Sequence, residues 1–162
     1  MQEANCQNSM PPRQRPRASA TSPAAAASAG GEEKVNAAGQ SHLWIAASLG
    51  STSKACSLLS SGAQVDLQSL EGTSPLWVAC LHGHVEVVRD LLAAGAEVDL
   101  CDNNGDTPLI AACNEGHMEV VRTLLFAGAK VDLQDNQGVS PLSMAASFGD
   151  MVMVRALLSS GA

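Results

Sequence analysis

Cys80, His82, His84, Cys113 and His117 are residue types that bind zinc, and they crowd into one third of the chain. Glu97, Asp99, Asp102 and Asp106 form an acidic run, and paired carboxylates can do acid–base work when one sits in a pocket. Both sets have a simpler origin. Cys80 and Cys113 are 33 residues apart, and so are His84 and His117. The acids recur in phase as Asp66, Asp132 and Asp135. A metal site or a catalytic pair needs convergence from different directions, whereas this spacing comes from a repeat. The acids therefore read as a solvated face. No Ser–His–Asp or Cys–His set stands out, no Gly-rich phosphate loop occurs, and a single-layer solenoid is expected to offer no catalytic cleft. The expectation is no enzyme, no cofactor, no metal and no small-molecule substrate.

The repeat dominates the rest of the chain. Gly39, Gly72, Gly105 and Gly138 fall in register, as do Gly62-Ala63, Gly95-Ala96, Gly128-Ala129 and Gly161-Ala162. The Leu pairs 58–59, 91–92, 124–125 and 157–158 keep the same step. A unit this short cannot bury its own apolar face and must stack on its neighbours.

One unit shows the logic. Asp102-Asn103-Asn104-Gly105 signals a turn. Thr107-Pro108 reads as N-cap and first helical residue, because the hydroxyl accepts a free helix N–H and Pro lacks only an unneeded donor. A short helix over about 108–115 follows, and Gly116 breaks it. His117 stands where a second helix begins. Glu119 suits that helix's positive end, and Val120, Val121, Leu124 and Leu125 form its buried stripe. Gly128 ends it, and Lys130-Val131-Asp132-Leu133 is expected to run extended into the next turn.

These residues, from Asp102-Asn103-Asn104-Gly105-Asp106-Thr107-Pro108-Leu109 through Gly116-His117, Leu124-Leu125 and Gly128-Ala129 to Val131-Asp132, resemble the ankyrin-repeat family, with three further copies in phase. The resemblance implies an all-α solenoid of helix–turn–helix units joined by β-turn or hairpin-like connections. The reading divides the chain into a disordered tail, 1–38, and a repeat domain, 39–162, with repeats at 39–68, 69–101, 102–134 and an incomplete 135–162. The first repeat is degenerate. Ser41-His42 replaces Ser/Thr-Pro, and Lys54 stands at an apolar stripe position, as suits a terminal cap. The fourth keeps Met151, Val152, Met153 and Val154 with nothing polar after them, so the chain reads as a fragment or as having an end that a partner covers. The family's His after Thr-Pro-Leu is replaced by Trp44, Trp77, Ile110 and Ser143, and the two indoles are expected to be structural layers.

The resemblance also implies how partners are held, by turn tips and by the concave face of the first helices. Carried over by position, the tips are Leu70, Glu71 and Thr73; Asn103, Asn104 and Asp106; and Asn136, Gln137 and Val139. The inner-helix positions are Ser48 and Leu49, Leu81 and His82, Asn114 and Glu115, and Ser147 and Phe148. Leu81 and Phe148 stand out as large apolar residues at otherwise polar positions.

Charge narrows the partner. Nine basic and sixteen acidic residues give a net −7. Four of the basic residues precede Gly39 beside three acids, which leaves five against thirteen, or −8, in the repeats. Such a body repels phosphate, which excludes nucleic acid and favours a basic or apolar protein surface. The tail holds four of the seven prolines, a run of alanines and the cluster Arg13-Gln14-Arg15-Pro16-Arg17. That composition reads as solvated chain, with a nuclear tag or a transit peptide as alternatives. Five cysteines, an odd number without a CxxC pair, favour reduced thiols. No stretch suits a membrane span. The functional expectation is a cytoplasmic protein-interaction module or scaffold, with a nuclear location as a further option. The alternative is the substrate-recognition fragment of a larger ligase adaptor or receptor.

Overall fold

The computed structural model describes residues 34–161, so the expectations for the segment before Lys34 lie outside the described residues. Eight helices follow in order: α1 (His42–Ser48), α2 (Thr52–Ser60), α3 (Pro75–Leu81), α4 (Val85–Ala93), α5 (Pro108–Asn114), α6 (Met118–Phe126), α7 (Pro141–Ser147) and α8 (Met151–Ser159). They form two layers. The seven-residue odd-numbered helices pack on one another in sequence, and the nine-residue even-numbered helices do the same behind them.

Each short helix starts on a hydroxyl. The side chains of Ser41, Ser74, Thr107 and Ser140 accept the backbone N–H of Trp44, Trp77, Ile110 and Ser143, each three residues on. Pro75, Pro108 and Pro141 then occupy the first turn, where a missing N–H costs nothing. Helices of two turns are marginal alone, so packing must hold them. Leu43, Leu76 and Leu109 are fully buried, with Ala47, Ala79 and Ala112 beside them, small enough for the short helices to approach closely. From the long helices come Val87, Val88 and Leu91, then Val120, Val121 and Leu124, then Met153 and Leu157.

Two expectations are corrected. The second leucine of each pair is peripheral: Leu125 is half-buried and Leu158 is exposed. One step along a helix turns a side chain by about 100°, which carries it off the core stripe. The segment expected to run extended instead turns at Val131-Asp132. Val131 and Leu133 are both buried there. In the preceding repeat Leu100 N–H closes the same turn on Glu97 O at 3.3 Å.

At the first repeat, α2 buries only Ala55 and exposes Thr52, Ser53 and Lys54. An apolar groove of about 340 Å³ remains on its outer side, walled by Ile45, Leu49 and Leu58. At the other end Phe148, Met151, Val152 and Leu158 are exposed.

Candidate interaction surface

The odd-numbered helices and the turns that precede them make one side of the solenoid. Turn tips are laced together by backbone bonds: Leu70 N–H to Ala38 O, Asn103 N–H to Glu71 O, and Asn136 N–H to Asn104 O, at 2.9–3.1 Å. Asn103 and Asn136 also donate their side-chain amides to the preceding tips, at Leu70 O and Asn103 O. These two asparagines therefore build the edge they stand on.

The acidic run is not simply a solvated face. Asp102 accepts the N–H groups of Asn104 and Asp106 at 2.8 and 2.9 Å. Asp135, itself buried, accepts those of Gln137 and Val139 at 2.8 and 2.7 Å. Asp66 and Asp99 reach across to the N–H of Glu97 and Lys130 in the next repeat. Carboxylates are placed here because tight turns leave backbone donors unpaired and a short acidic side chain can satisfy two of them. Asp106 is half-buried, as are Asp99 and Asp102. Its pKa is raised to about 6, first by desolvation and then by the charges of Asp102 and Asp135.

The metal-type residues also have structural work. His84 Nε2 donates to Ser48 O at 3.1 Å, and His117 Nε2 donates to Leu81 O at 3.0 Å, each bonding the end of the preceding repeat's short helix. A carbonyl only accepts, so Nε2 carries the proton in both rings. Neither imidazole caps its own helix. Cys80 and Cys113 are buried, and burial pushes both thiols up, Cys113 to about 12 with help from Asp150. Among the described residues no three His, Cys, Asp or Glu are grouped as a metal ion would need, and the four described cysteines form no disulfide.

The side formed by the odd-numbered helices holds an open groove of about 610 Å³. This departs from the expectation that a single-layer solenoid offers no cleft. Trp44, Trp77, Val78 and Leu81 give its apolar wall, and Glu71, Thr73, His82, Asp102, Asn103 and Asn104 the polar one. Both indoles are half-buried. Trp44 Nε1 donates to Thr73 Oγ1 and Trp77 Nε1 to the Asp106 carbonyl, both at 3.0 Å. Each ring thus spans from its own repeat to the next turn. Ile110, in the same position one repeat later, is buried, so the series of indoles stops after two.

Of the residues singled out by position, Glu71, Leu81, His82, Asn103 and Asn104 come together in this groove. Leu70 stands exposed at the tip beside it. Thr73 is corrected: it is 4% exposed, and its hydroxyl is engaged by Trp44 and by Ser69 Oγ at 2.7 Å, so it positions an indole rather than meeting a partner. Leu81 is half-buried, a wall and not a projecting anchor. Asn114, Glu115, Asn136, Gln137, Ser147 and Phe148 are exposed further along the stack, and Val139 is half-buried. Asn114 donates its amide to Glu115 at 2.9 Å. Missed from sequence were Trp44, Trp77, Val78 and Asp102. The usable signal was two Trp at the fourth position from adjacent N-caps, where a long planar side chain must reach the next turn.

Every lysine and arginine from Gly39 onward lies off this side. Lys54, Arg89, Arg122 and Arg155 are on the even-numbered helices, and Lys130 is in the connection after α6. Arg89 and Arg122 pair with Glu86 and Glu119 on their own helices, and Lys130 lies 3.9 Å from Asp99. The groove side keeps Glu71, Asp102, Asp106, Glu115 and Asp135 with no cation among them.

A family model described as ankyrin repeats (3 copies) matches residues 24–100, 43–135 and 86–162. The comparison with curated proteins finds no match. Repeats of this kind are in general protein–protein interaction modules and are typically non-catalytic, and no described helix is long and apolar enough to cross a membrane. The stacked pairs, their hydroxyl-and-proline starts and the 33-residue register all agree with that match: the chain belongs to the ankyrin-repeat family.

Proposed function

We infer that the protein is a non-catalytic interaction module that holds a protein partner on the side formed by α1, α3, α5 and α7 and on the turn tips before them. The observation that carries this reading is the segregation of charge. From Gly39 onward, the side with the groove and the exposed tips has acids and apolar surface but no lysine or arginine, and the five lysines and arginines of the repeats lie off it. A basic segment with apolar contacts complements such a surface. Glu71, Asn104, Asp106, Leu81 and His82 make the groove end of the contact. Asn114, Glu115, Gln137, Ser147 and Phe148 extend it along the stack, and Leu70, Asn103, Asn136 and Val139 follow the tips. The scaffold is held by bonds between every pair of repeats, which suits rigid docking. The proposal places this work in the cytoplasm or nucleus.

Capture of partners from cell lysate tests it, with the full chain beside a Leu81→Arg/Phe148→Arg variant of equal helical content. Partners lost with the variant, and regained when only the even-numbered helices are altered, support the reading. Partners kept by the variant sink it. A second reading, recognition on behalf of further domains of a larger protein, is favoured by the apolar exposure of Met151, Val152 and Leu158 on α8. Intact mass of the protein isolated from its source separates the two.

A further inference from the structure

The two indoles have a property that narrows the partner. Tryptophan has one hydrogen-bonding atom, and in Trp44 and Trp77 that atom is already bonded to the next repeat's turn. What each ring still offers the groove is apolar aromatic surface, held by that bond. Beside them stands Glu71, whose carboxylate has no partner among the described residues. Asp102 adds a second negative charge to the wall, and no lysine or arginine lines the groove. Fixed indole surface next to an unpaired carboxylate, in an acidic groove lined by no lysine or arginine, attracts an organic cation.

We propose that this groove binds an arginine side chain carried on an extended segment of the partner, with the guanidinium stacked on the indoles of Trp44 and Trp77 and paired with Glu71. Arginine fits better than lysine on two counts. Its planar group lies flat on an indole, and its fork of donors meets a carboxylate in bidentate fashion at the same time. An ammonium is a point charge that must choose between them. The groove is open to solvent, which leaves room for backbone on either side of the arginine. The inference rests on the interaction reading above and names the chemistry that reading requires at one end of the surface.

The chain contains two Trp and no Tyr. Both tryptophans line this groove, so intrinsic fluorescence reports on the site directly. The experiment titrates the full chain with a blocked Gly-Ser-Arg-Ser-Gly peptide and with its citrulline counterpart, which keeps the shape and removes the charge. The expected result is a saturable fluorescence change with arginine, and binding about 10-fold weaker or worse with citrulline. Glu71→Gln, at an exposed tip, leaves helical content unchanged and weakens the arginine peptide about 5-fold. Raised salt weakens it further. Equal binding of the citrulline peptide, indifference to Glu71→Gln, or no fluorescence response at all overturns the proposal. Those failures leave the broader reading intact if lysate partners are still lost with Leu81→Arg/Phe148→Arg. An arginine response without any such partner overturns the broader reading and, with it, the assignment of the arginine to a partner, leaving an arginine site only.

Discussion

The indole N–H of Trp44 ends on the hydroxyl of Thr73, 3.0 Å away and 29 residues along the chain, so the first short helix is bonded to the turn that starts the second repeat. Thr73 is buried and also bonds Ser69. Thr73→Val keeps the shape and removes both partners at once. It should cost about 1–2 kcal/mol in urea unfolding, since the indole N–H loses its acceptor and the Ser69 hydroxyl keeps only the Glu71 N–H. Trp44→Phe should cost less on top of Thr73→Val than alone. Additive losses would show that the pair is not coupled.

The histidine bonds predict unequal glycines. A Cβ on Gly83 would lie 2.7 Å from the His117 ring, and the residue has φ +72°. Gly116 has a similar φ, +74°, but a Cβ there meets nothing within 4 Å. Gly116→Ala should cost about 1 kcal/mol for the left-handed backbone alone. Gly83→Ala should cost more, roughly 2–4 kcal/mol, because the imidazole must leave Leu81 O to make room. Equal losses at the two positions would contradict the packing of His117.

Asp106 predicts the sign of a pH effect. Its folded pKa, about 6, lies above the ordinary 3.8. Folding therefore favours its neutral form. That contribution is fully present below about pH 3.8 and is lost as pH rises through about 6. Asp106→Asn should raise Tm by about 1–3 °C at pH 7.5 and have little effect at pH 4, the small size reflecting solvent screening of a half-exposed carboxyl. A Tm gain that is the same at both pH values would count against the shift.

Cys56 is exposed, yet its Sγ donates to Asp90 Oδ2 at 3.2 Å, and this bond with the carboxylate's charge raises the thiol. Asp90→Asn should speed alkylation of Cys56 at pH 8 severalfold, as more thiolate forms. Cys80 and Cys113 should stay unlabelled until the protein unfolds, because both are buried. Mass mapping of labelled peptides separates the three.

The sequence alone determined the local units. Ser74-Pro75, Thr107-Pro108 and Ser140-Pro141 start helices by contacts within three residues, and the Val-Val-x-x-Leu stripes mark buried faces through helical periodicity. Both signals are local, so the 33-residue spacing was enough to read eight helices, their order and most of the core. Only the tertiary structure decided what the side chains between repeats do. Thr73 and Asn103 occupy the positions of surface tips by register. Yet Thr73 lies under an indole from the preceding repeat, and the Asn103 amide is engaged by Leu70 O. Trp44 and Trp77 read as structural layers, and they do pack against the core, but each ring also spans to a turn 29 residues away and walls a groove. His117 stands at a helix start by sequence and bonds a carbonyl 36 residues back. Those contacts depend on how far each repeat rises and rotates against the last. That offset is set by the packing of Leu, Val and Ala across whole layers, and no single repeat encodes it.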